Sequence, residues 1–341
     1  VTTLSTHEPR EAPDHILVGV AAVYQVVDAE VWGPHHVHPT AQLVAEMRHQ
    51  PSYEQHRILV ATDGDDAITG FAWWGWADRP DNRDHVWCTL QVHPAVRRRG
   101  VGSRLLRAVA EEARARHGAR LLDFEVPAAG PGPAFLTRFG ARAAYVGHRN
   151  VCEVVDLDRS LLEGWIRRAE ERCADYELVS HDGPLPEEWS ESFAELRHVM
   201  NTAPYEDLDY DDEVFTPAIG AADQASWVAQ ETDWWTVVAR HRPTGALAGY
   251  SALFLPRLWP DHAWQGDTGV WPDHRDRGLG RWVKAVNALR LLDERPDVAF
   301  VMTENAGSND AMLSINHAMG FRSAGHVEEW QLVVDDALAT S

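Results

Sequence analysis

Apolar residues recur at two periods along this chain, and the switches between them outline its elements. Residues 16–31 space their apolar side chains at a helical interval with β-branched residues mixed in, and residues 41–49 read as a short helix closed near Pro51. Residues 58–61 and 68–76 read as strands around an Asp-Gly-Asp-Asp turn, and residues 86–92 as a third strand. A helix follows with Leu105, Leu106, Val109 and Ala113 on one face and His117-Gly118 as its stop. Residues 121–126 give the next strand, parallel to the one before by the rule for strand–helix–strand units. A short helix over 134–139 ends at Gly140, and residues 145–155 form a last strand; residues 1–15 read as a mobile polar arm.

Residues 157–173 differ in kind: Leu161, Leu162, Trp165, Ile166 and Ala169 make one apolar stripe between charged residues. This predicts a connecting helix, with domains at residues 1–157 and 174–341 and the connector at 158–173. The second half then repeats the first. A helix spans 187–201, a hairpin joins 236–240 to 246–255 around Pro243-Thr244-Gly245, and residues 267–270 form a strand. A helix follows over 281–292, then a strand over 298–303 and a short helix over 309–319 stopped by Gly320.

The repeat is sharpest around one string. Thr89 to Arg104 reads TLQVHPAVRRRGVGSR, and Asp267 to Arg281 reads DTGVWPDHRDRGLGR. Arg97, Gly100 and Gly102 each lie 178 positions before Arg275, Gly278 and Gly280. Gly70 and Gly249 lie 179 apart, and Gly140 and Gly320 lie 180 apart, so one domain has been duplicated. In each copy a strand runs into a glycine turn that opens a helix. Such a helix start leaves backbone N–H groups unpaired and favours an anion, and glycine lets the main chain come close to a phosphate. Net hydrogen bonds of about 1 kcal/mol each fall short of the roughly 8 kcal/mol that micromolar binding needs. A long ligand body lying along the strand must supply the rest.

Net charge is −21, which argues against a nucleic-acid partner and is compatible with a cationic substrate as well as with plain solubility. No run of 18 apolar residues and no basic leader with an apolar core is present, so neither a membrane span nor a secretory signal is expected. The three cysteines Cys88, Cys152 and Cys173 lack metal spacing and suit a reducing cytoplasm, and the 18 histidines show no metal-binding pattern.

The R-x-x-G-x-G turn after a V-x-P strand end fits neither the G-x-G-x-x-G nor the G-x-x-x-x-G-K-[ST] spacing. It resembles the acetyl-CoA loop of the GNAT superfamily of N-acetyltransferases, and with both halves read the chain is similar to tandem GNAT proteins such as mycothiol synthase. The second half carries the fuller match over 57 residues: Gln265-x-Asp267-Thr268-x-Val270, His274-Arg275, Gly280, Lys284 and Asn287. It continues with Thr303-x-Asn305-Ala306-x-x-Asn309-x-x-Met312-x-x-Ile315-Asn316-x-x-Met319-Gly320-Phe321. The first half matches only V-x-P-x-x-R-R-R-G-V-G-S and a blurred Pro133-to-Gly140 segment.

The resemblance implies an α+β fold of two tandem GNAT domains. Each would hold a mixed, largely antiparallel sheet flanked by helices, with two parallel strands splaying around an acetyl thioester. It implies acetyl-CoA, or another acyl-CoA, bound by Leu90, Gln91, Val92 and the Arg97-Arg98-Arg99-Gly100-Val101-Gly102-Ser103 loop. In the second half the corresponding set is Thr268, Gly269, Val270 and Arg275-Asp276-Arg277-Gly278-Leu279-Gly280-Arg281, with Asn305 and Asn309. It implies direct attack by a small-molecule amine, assisted by a base and an acid. The tyrosine that supplies the acid in many members falls at Leu136 and Asn316, neither of which donates a proton as tyrosine does. The usual base position falls at Cys88 and Gly266. Asp267, one residue on, is the candidate base, provided a bulge turns it to the working face.

Other features leave alternatives open. The acidic loop Glu206, Asp207, Asp209, Asp211, Asp212 and Glu213 is either a solvated charge run or a recruiter of polyamine-like substrates. Alternation places Trp74 and Trp76 on one strand face and Trp73 on the other, as core or as an aromatic acceptor pocket. Either half could be catalytic, with the second favoured. A different acyl donor or acceptor, and a CoA-binding sensor without turnover, are the rival readings; oligomeric state is not legible.

Overall fold

The computed structural model describes residues 2–33 and 37–340. It contains two compact units, and neither is a continuous stretch of sequence. One holds Val1–Gly147, Tyr205–Asp211 and Gly325–Ser341; the other holds His148–Pro204 and Asp212–Ala324.

In the first unit, β1 (Thr3–His7) is followed by α1 (Asp14–Trp32) and α2 (Thr40–Arg48), then β2 (Glu54–Thr62), β3 (Ile68–Ala77) and β4 (His85–Val92). Next come α3 (Val101–His117), β5 (Leu121–Pro127), α4 (Gly132–Arg138) and the start of β6 (Arg142–Glu153). β1 to β4 pair antiparallel in order, while β4 and β5 run parallel over His85–Trp87 and Leu121–Asp123. The first residues are therefore an edge strand rather than a mobile arm, because backbone pairing with Ile58–Thr62 satisfies a sequence too polar to announce itself. α1 is long and apolar enough to cross a bilayer by length and composition, but here Leu17, Val20, Ala21 and Val23 pack with Ile58, Val60 and Phe71. On the opposite sheet face, α3 buries the four expected apolar side chains against Trp74, Val86 and Leu122. Trp74 is fully buried with Trp76 beside it, and Trp73 faces the other way toward His56 and Trp87. These tryptophans are packing residues.

In the second unit, α5 (Arg159–Arg172) leads to β7 (Tyr176–Asp182), α6 (Ser190–Arg197), α7 (Pro217–Ala229), β8 (Thr232–His241), β9 (Leu247–Pro256) and β10 (His262–Val270). Then follow α8 (Leu279–Glu294), β11 (Phe300–Ala306) and α9 (Asp310–Met319); β12 (Arg322–Val333) and α10 (Val334–Ala339) come after them in the chain and from Gly325 on belong to the first unit. β7 to β10 pair antiparallel, and β10 and β11 pair in parallel over only three residues, His262–Trp264 with Phe300–Met302. Beyond Trp264 the two strands part. The helix expected to be a connector is a core element: Leu162 and Trp165 of α5 pack with Ala285, Ala288 and Leu291 of α8.

The compact units thus cut the chain differently from a division at residues 158–173. The Val327–Val333 run of β12 pairs antiparallel with Leu121–Pro127, and Trp330, Leu332, Val334 and Ala337 enter the core beneath α3. The chain's last strand and helix therefore complete its first unit. The Tyr205–Asp211 segment also belongs there: Asp207 N–H donates to Ala144 O, Arg142 donates to Asp207 O, and Arg120 pairs with Asp209 at 3.0 Å. Four of the six loop acids thereby belong to the first unit.

Candidate active site

Both glycine turns take the conformation their residues require. Gly100 and Gly278 are left-handed, at φ +83° and +94°, and each precedes its helix with no capping side chain. By contrast α5, α7 and α9 are capped by Asp158, Thr216 and Asn309. The first amides of α3 and α8 are thus left for an external acceptor, at the positive end of the helix dipole. Arg97 Nε donates to Val92 O at 3.1 Å, and Arg275 Nε to Val270 O at 2.9 Å, so each arginine folds the turn back on its own strand.

The turns differ in what surrounds them. Arg97 is ion-paired with Glu30 at 2.7 Å, and the Phe135 ring lies 3.4 Å from where a Gly102 side chain would begin. Among the described residues the side-chain hydrogen-bond partner of Arg275 is the Thr202 hydroxyl, at 2.6 Å, and the side-chain atom nearest the equivalent point at Gly280 belongs to Ile315, at 3.7 Å. Around that second turn a cavity of about 510 Å³ is lined by Thr268, Gly269, Val270, Arg275, Asp276, Gly278, Leu279, Gly280, Arg281 and Asn309. Of the expected second-half binding residues, Arg277 and Asn305 are absent from that lining. Arg277 lies near the Tyr176 ring, and Asn305 accepts from Asn316. The Asn309 carboxamide oxygen is engaged in accepting the Met312 N–H. His274 shapes the turn by sharing a 2.7 Å hydrogen bond with Tyr176, and burial, then His241, depress its pKa. In the first unit Leu90, Gln91 and Val92 end β4 half-buried, Arg98, Arg99 and Gly100 are exposed, Val101 is buried and Ser103 is half-buried.

The strand feeding the second turn carries a bulge. Gln265 opposes Leu253 and Thr268 opposes Ser251, so Gly266 and Asp267 together face Ala252. Both bulged residues line a second cavity, of about 680 Å³, with Phe193, Trp227, Trp234, Tyr250 and Phe254 among its walls. The bulge thereby brings Asp267 to the cavity, where the buried Tyr250 hydroxyl donates to its Oδ2 at 2.9 Å. Burial, then the Asp267 charge, raise the Tyr250 pKa well above that of a free phenol, so it stays a donor. Asp267 lines the larger cavity, and Thr268, the next residue, lines the smaller one.

The second-half motif divides into two networks. One braces the bulge: Gln265 Nε2 donates to Ala252 O at 2.7 Å, Asn287 Nδ2 to Ser251 O at 3.2 Å, and Thr303 Oγ1 to Gln265 O at 3.0 Å. Each carbonyl that the register shift would strand gains a buried donor. The other network joins Lys284 Nζ to Asn316 Oδ1 and Asn316 Nδ2 to Asn305 Oδ1, both at 2.7 Å. Asn316 is fully buried, and its amide bridges α8 to β11. In the first unit Cys88 and Leu136 hold the corresponding places; both are core residues, and burial pushes the Cys88 thiol far above its usual range.

Residues 54–140 match the family model of the acetyltransferase (GNAT) domain. A tandem GNAT protein of the clavulanic acid biosynthesis pathway, solved without acetyl-CoA, superposes with a TM-score of 0.78. It is 23% identical, and the match covers 98% of this chain and 99% of that one. The chain has the tandem GNAT fold. A GCN5-related N-acetyltransferase from Sphaerobacter thermophilus is also similar, with a TM-score of 0.68, 13% identity and coverage of 98% and 96%. A glucosamine N-acetyltransferase region of a fungal multi-domain β-N-acetylglucosaminidase gives a TM-score of 0.66 at 15% identity, over 97% of this chain and 38% of that one. No curated protein matches in sequence. β4 and β5, and β10 and β11, are the two parallel pairs that the GNAT resemblance implied, one in each unit.

The aromatic lining of the larger cavity was not foreseen. Trp227 sits on α7, whose small residues and internal glycine blur the helical period.

Proposed function

We propose that the second unit is an N-acetyltransferase that moves the acetyl group of acetyl-CoA directly to a small amine. One observation carries this reading: consecutive residues of the bulged β10 line two cavities, one around a glycine turn that suits a diphosphate and its pantetheine tail, the other presenting a carboxylate among aromatic rings. Amides at the start of α8, with Arg275 and Arg281 nearby, hold the diphosphate, and the tail lies along Thr268–Val270 where β11 has moved away. No part of this needs the tail to displace an existing strand partner. Asp267 takes the proton of the attacking amine, and Tyr250 holds the carboxylate toward it. The aromatic walls favour an amine with an apolar or aromatic body, which Asp267 attracts while it is cationic. The first unit keeps the turn, but there Glu30 ion-pairs Arg97 and the Phe135 ring comes within van der Waals range of a Gly102 side chain, so the second unit is favoured for catalysis.

Thiol release from acetyl-CoA with a panel of aryl-alkyl, alkyl and polycationic amines tests the reading. Aryl-alkyl amines should be turned over best. In Trp227→Ala their KM should rise roughly ten-fold with kcat little changed, since a lost aromatic contact of about 0.5–1.5 kcal/mol weakens binding uniformly. Binding of acetyl-CoA without turnover of any amine would leave a sensor instead.

A further inference from the structure

The second unit contains a lysine in an unusual setting. Lys284, in the middle of α8, is only 1% exposed. Its Nζ donates to Asn316 Oδ1 at 2.7 Å, lies 3.9 Å from the Met312 sulfur and sits 5.7 Å from the centre of the Phe321 ring. Its neighbours on α9 and beyond are thus an amide, a thioether and an aromatic face; among the described residues no carboxylate shares a hydrogen bond or ion pair with it. An ammonium has three protons to place and here finds one good acceptor. A buried cation without an anion is costly, and the site is kept only if something compensates.

The place of this amine suggests what. Met312 lines the cavity at the second glycine turn, so Nζ stands one side chain behind its wall. Asn316 extends from Nζ to Asn305 on β11, the strand that parts from β10 to open the gap. On the acetyl-transfer reading, a cofactor lying along Thr268–Val270 toward Asp267 would bring its thioester to that gap.

We propose that Lys284 is the acid that protonates the departing CoA sulfur, with Asn316 holding its ammonium toward the gap. This rests on the acetyl-transfer reading above. The amine nitrogen bonds to the acetyl carbon as its proton passes to Asp267. The carbon–sulfur bond breaks, sulfur keeps the electron pair, and one N–H proton of Lys284 moves to it. The products are the amide, the CoA thiol, a protonated Asp267 and a neutral Lys284; exchange with water returns the proton from Asp267 to Lys284. Burial pushes the Lys284 ammonium down to about 7, which lets it both hold and release a proton near neutrality.

The test needs no acceptor. Coenzyme A itself is titrated in complex with the full chain, and thiolate is followed by its ultraviolet absorbance. A lysine ammonium beside the sulfur stabilises thiolate, so the bound thiol should ionise roughly one to three pH units below the free coenzyme. Lys284→Met should abolish that difference, and Lys284→Arg, a permanent cation, should keep it. Where an amine is turned over, Lys284→Met and Lys284→Arg should both lower kcat by on the order of 100-fold at unchanged acetyl-CoA affinity. Coenzyme A that binds wild-type protein but ionises as it does in water overturns the role of Lys284 and leaves the transferase reading standing. Failure to bind coenzyme A at all removes both.

Discussion

A chain ended after Ala324 should lose its first unit. The deleted part carries Val327, Trp330, Leu332 and Val334, all within the buried core of a unit whose other elements end by residue 147 or lie at residues 205–211. Burying such side chains contributes about 1.5–3 kcal/mol each, so their removal costs roughly 6–12 kcal/mol. That is comparable to the whole stability of a domain, about 5–15 kcal/mol. The loss also strips β5 of the seven-residue ladder with Val327–Val333, leaving buried backbone groups unpaired. Circular dichroism and limited proteolysis should show residues before 147 melting or being cut at temperatures where the full chain is intact. The point variant Leu332→Asp, at a position with no exposure, should do the same more gently. A truncated chain with an unchanged melting profile would show that β12 adds nothing to that unit.

The second large effect is expected at Asp267. Asp267→Asn keeps the shape and leaves Tyr250 an oxygen to donate to, so folding and acetyl-CoA binding should hold. It removes the proton acceptor that the bulge brings to the larger cavity, and general-base assistance is worth about 10²–10⁴-fold. The turnover number should fall by that factor with the KM for acetyl-CoA little altered, as expected for a group that acts in the transition state alone. Steady-state thiol release and equilibrium binding of acetyl-CoA separate the two quantities. A variant with wild-type turnover would move the base elsewhere, with Glu187, the other carboxylate lining the cavity, next to be tested.

How much of this could be read from residues alone depends on where the signal resides. The cradles were legible because left-handed φ and close approach restrict the residue to glycine, and the same arginine–glycine pattern recurs 178 positions later. The helices α3 and α8 were legible because their apolar faces meet one sheet. β12 was not, since Arg322 to Glu329 reads as polar and its partner β5 lies some 200 residues upstream. Its burial comes from pairing, not from local pattern. α7 and β7 were missed for related reasons: one is built of small residues, the other alternates weakly at a sheet edge. The acidic loop left two readings open because a charge run says nothing of where its main chain is held, and here Ala144, Arg142 and Arg120 hold it. The bulge at Gly266-Asp267 lies between these cases. The alternation rule placed Asp267 on the wrong face, and only the buried braces Gln265, Asn287 and Thr303 show that the register shift is a built feature.

The most direct test of the account is a calorimetric titration of acetyl-CoA into the wild-type chain, Gly278→Glu and Gly100→Glu. At Gly278 a side chain at φ +94° and a carboxylate facing the diphosphate both oppose binding. The account predicts binding to wild type, loss of that binding in Gly278→Glu with the fold intact, and productive binding and turnover preserved in Gly100→Glu. Wild-type protein that takes up no acetyl-CoA, or a Gly278→Glu chain that binds and turns it over unchanged, would contradict it.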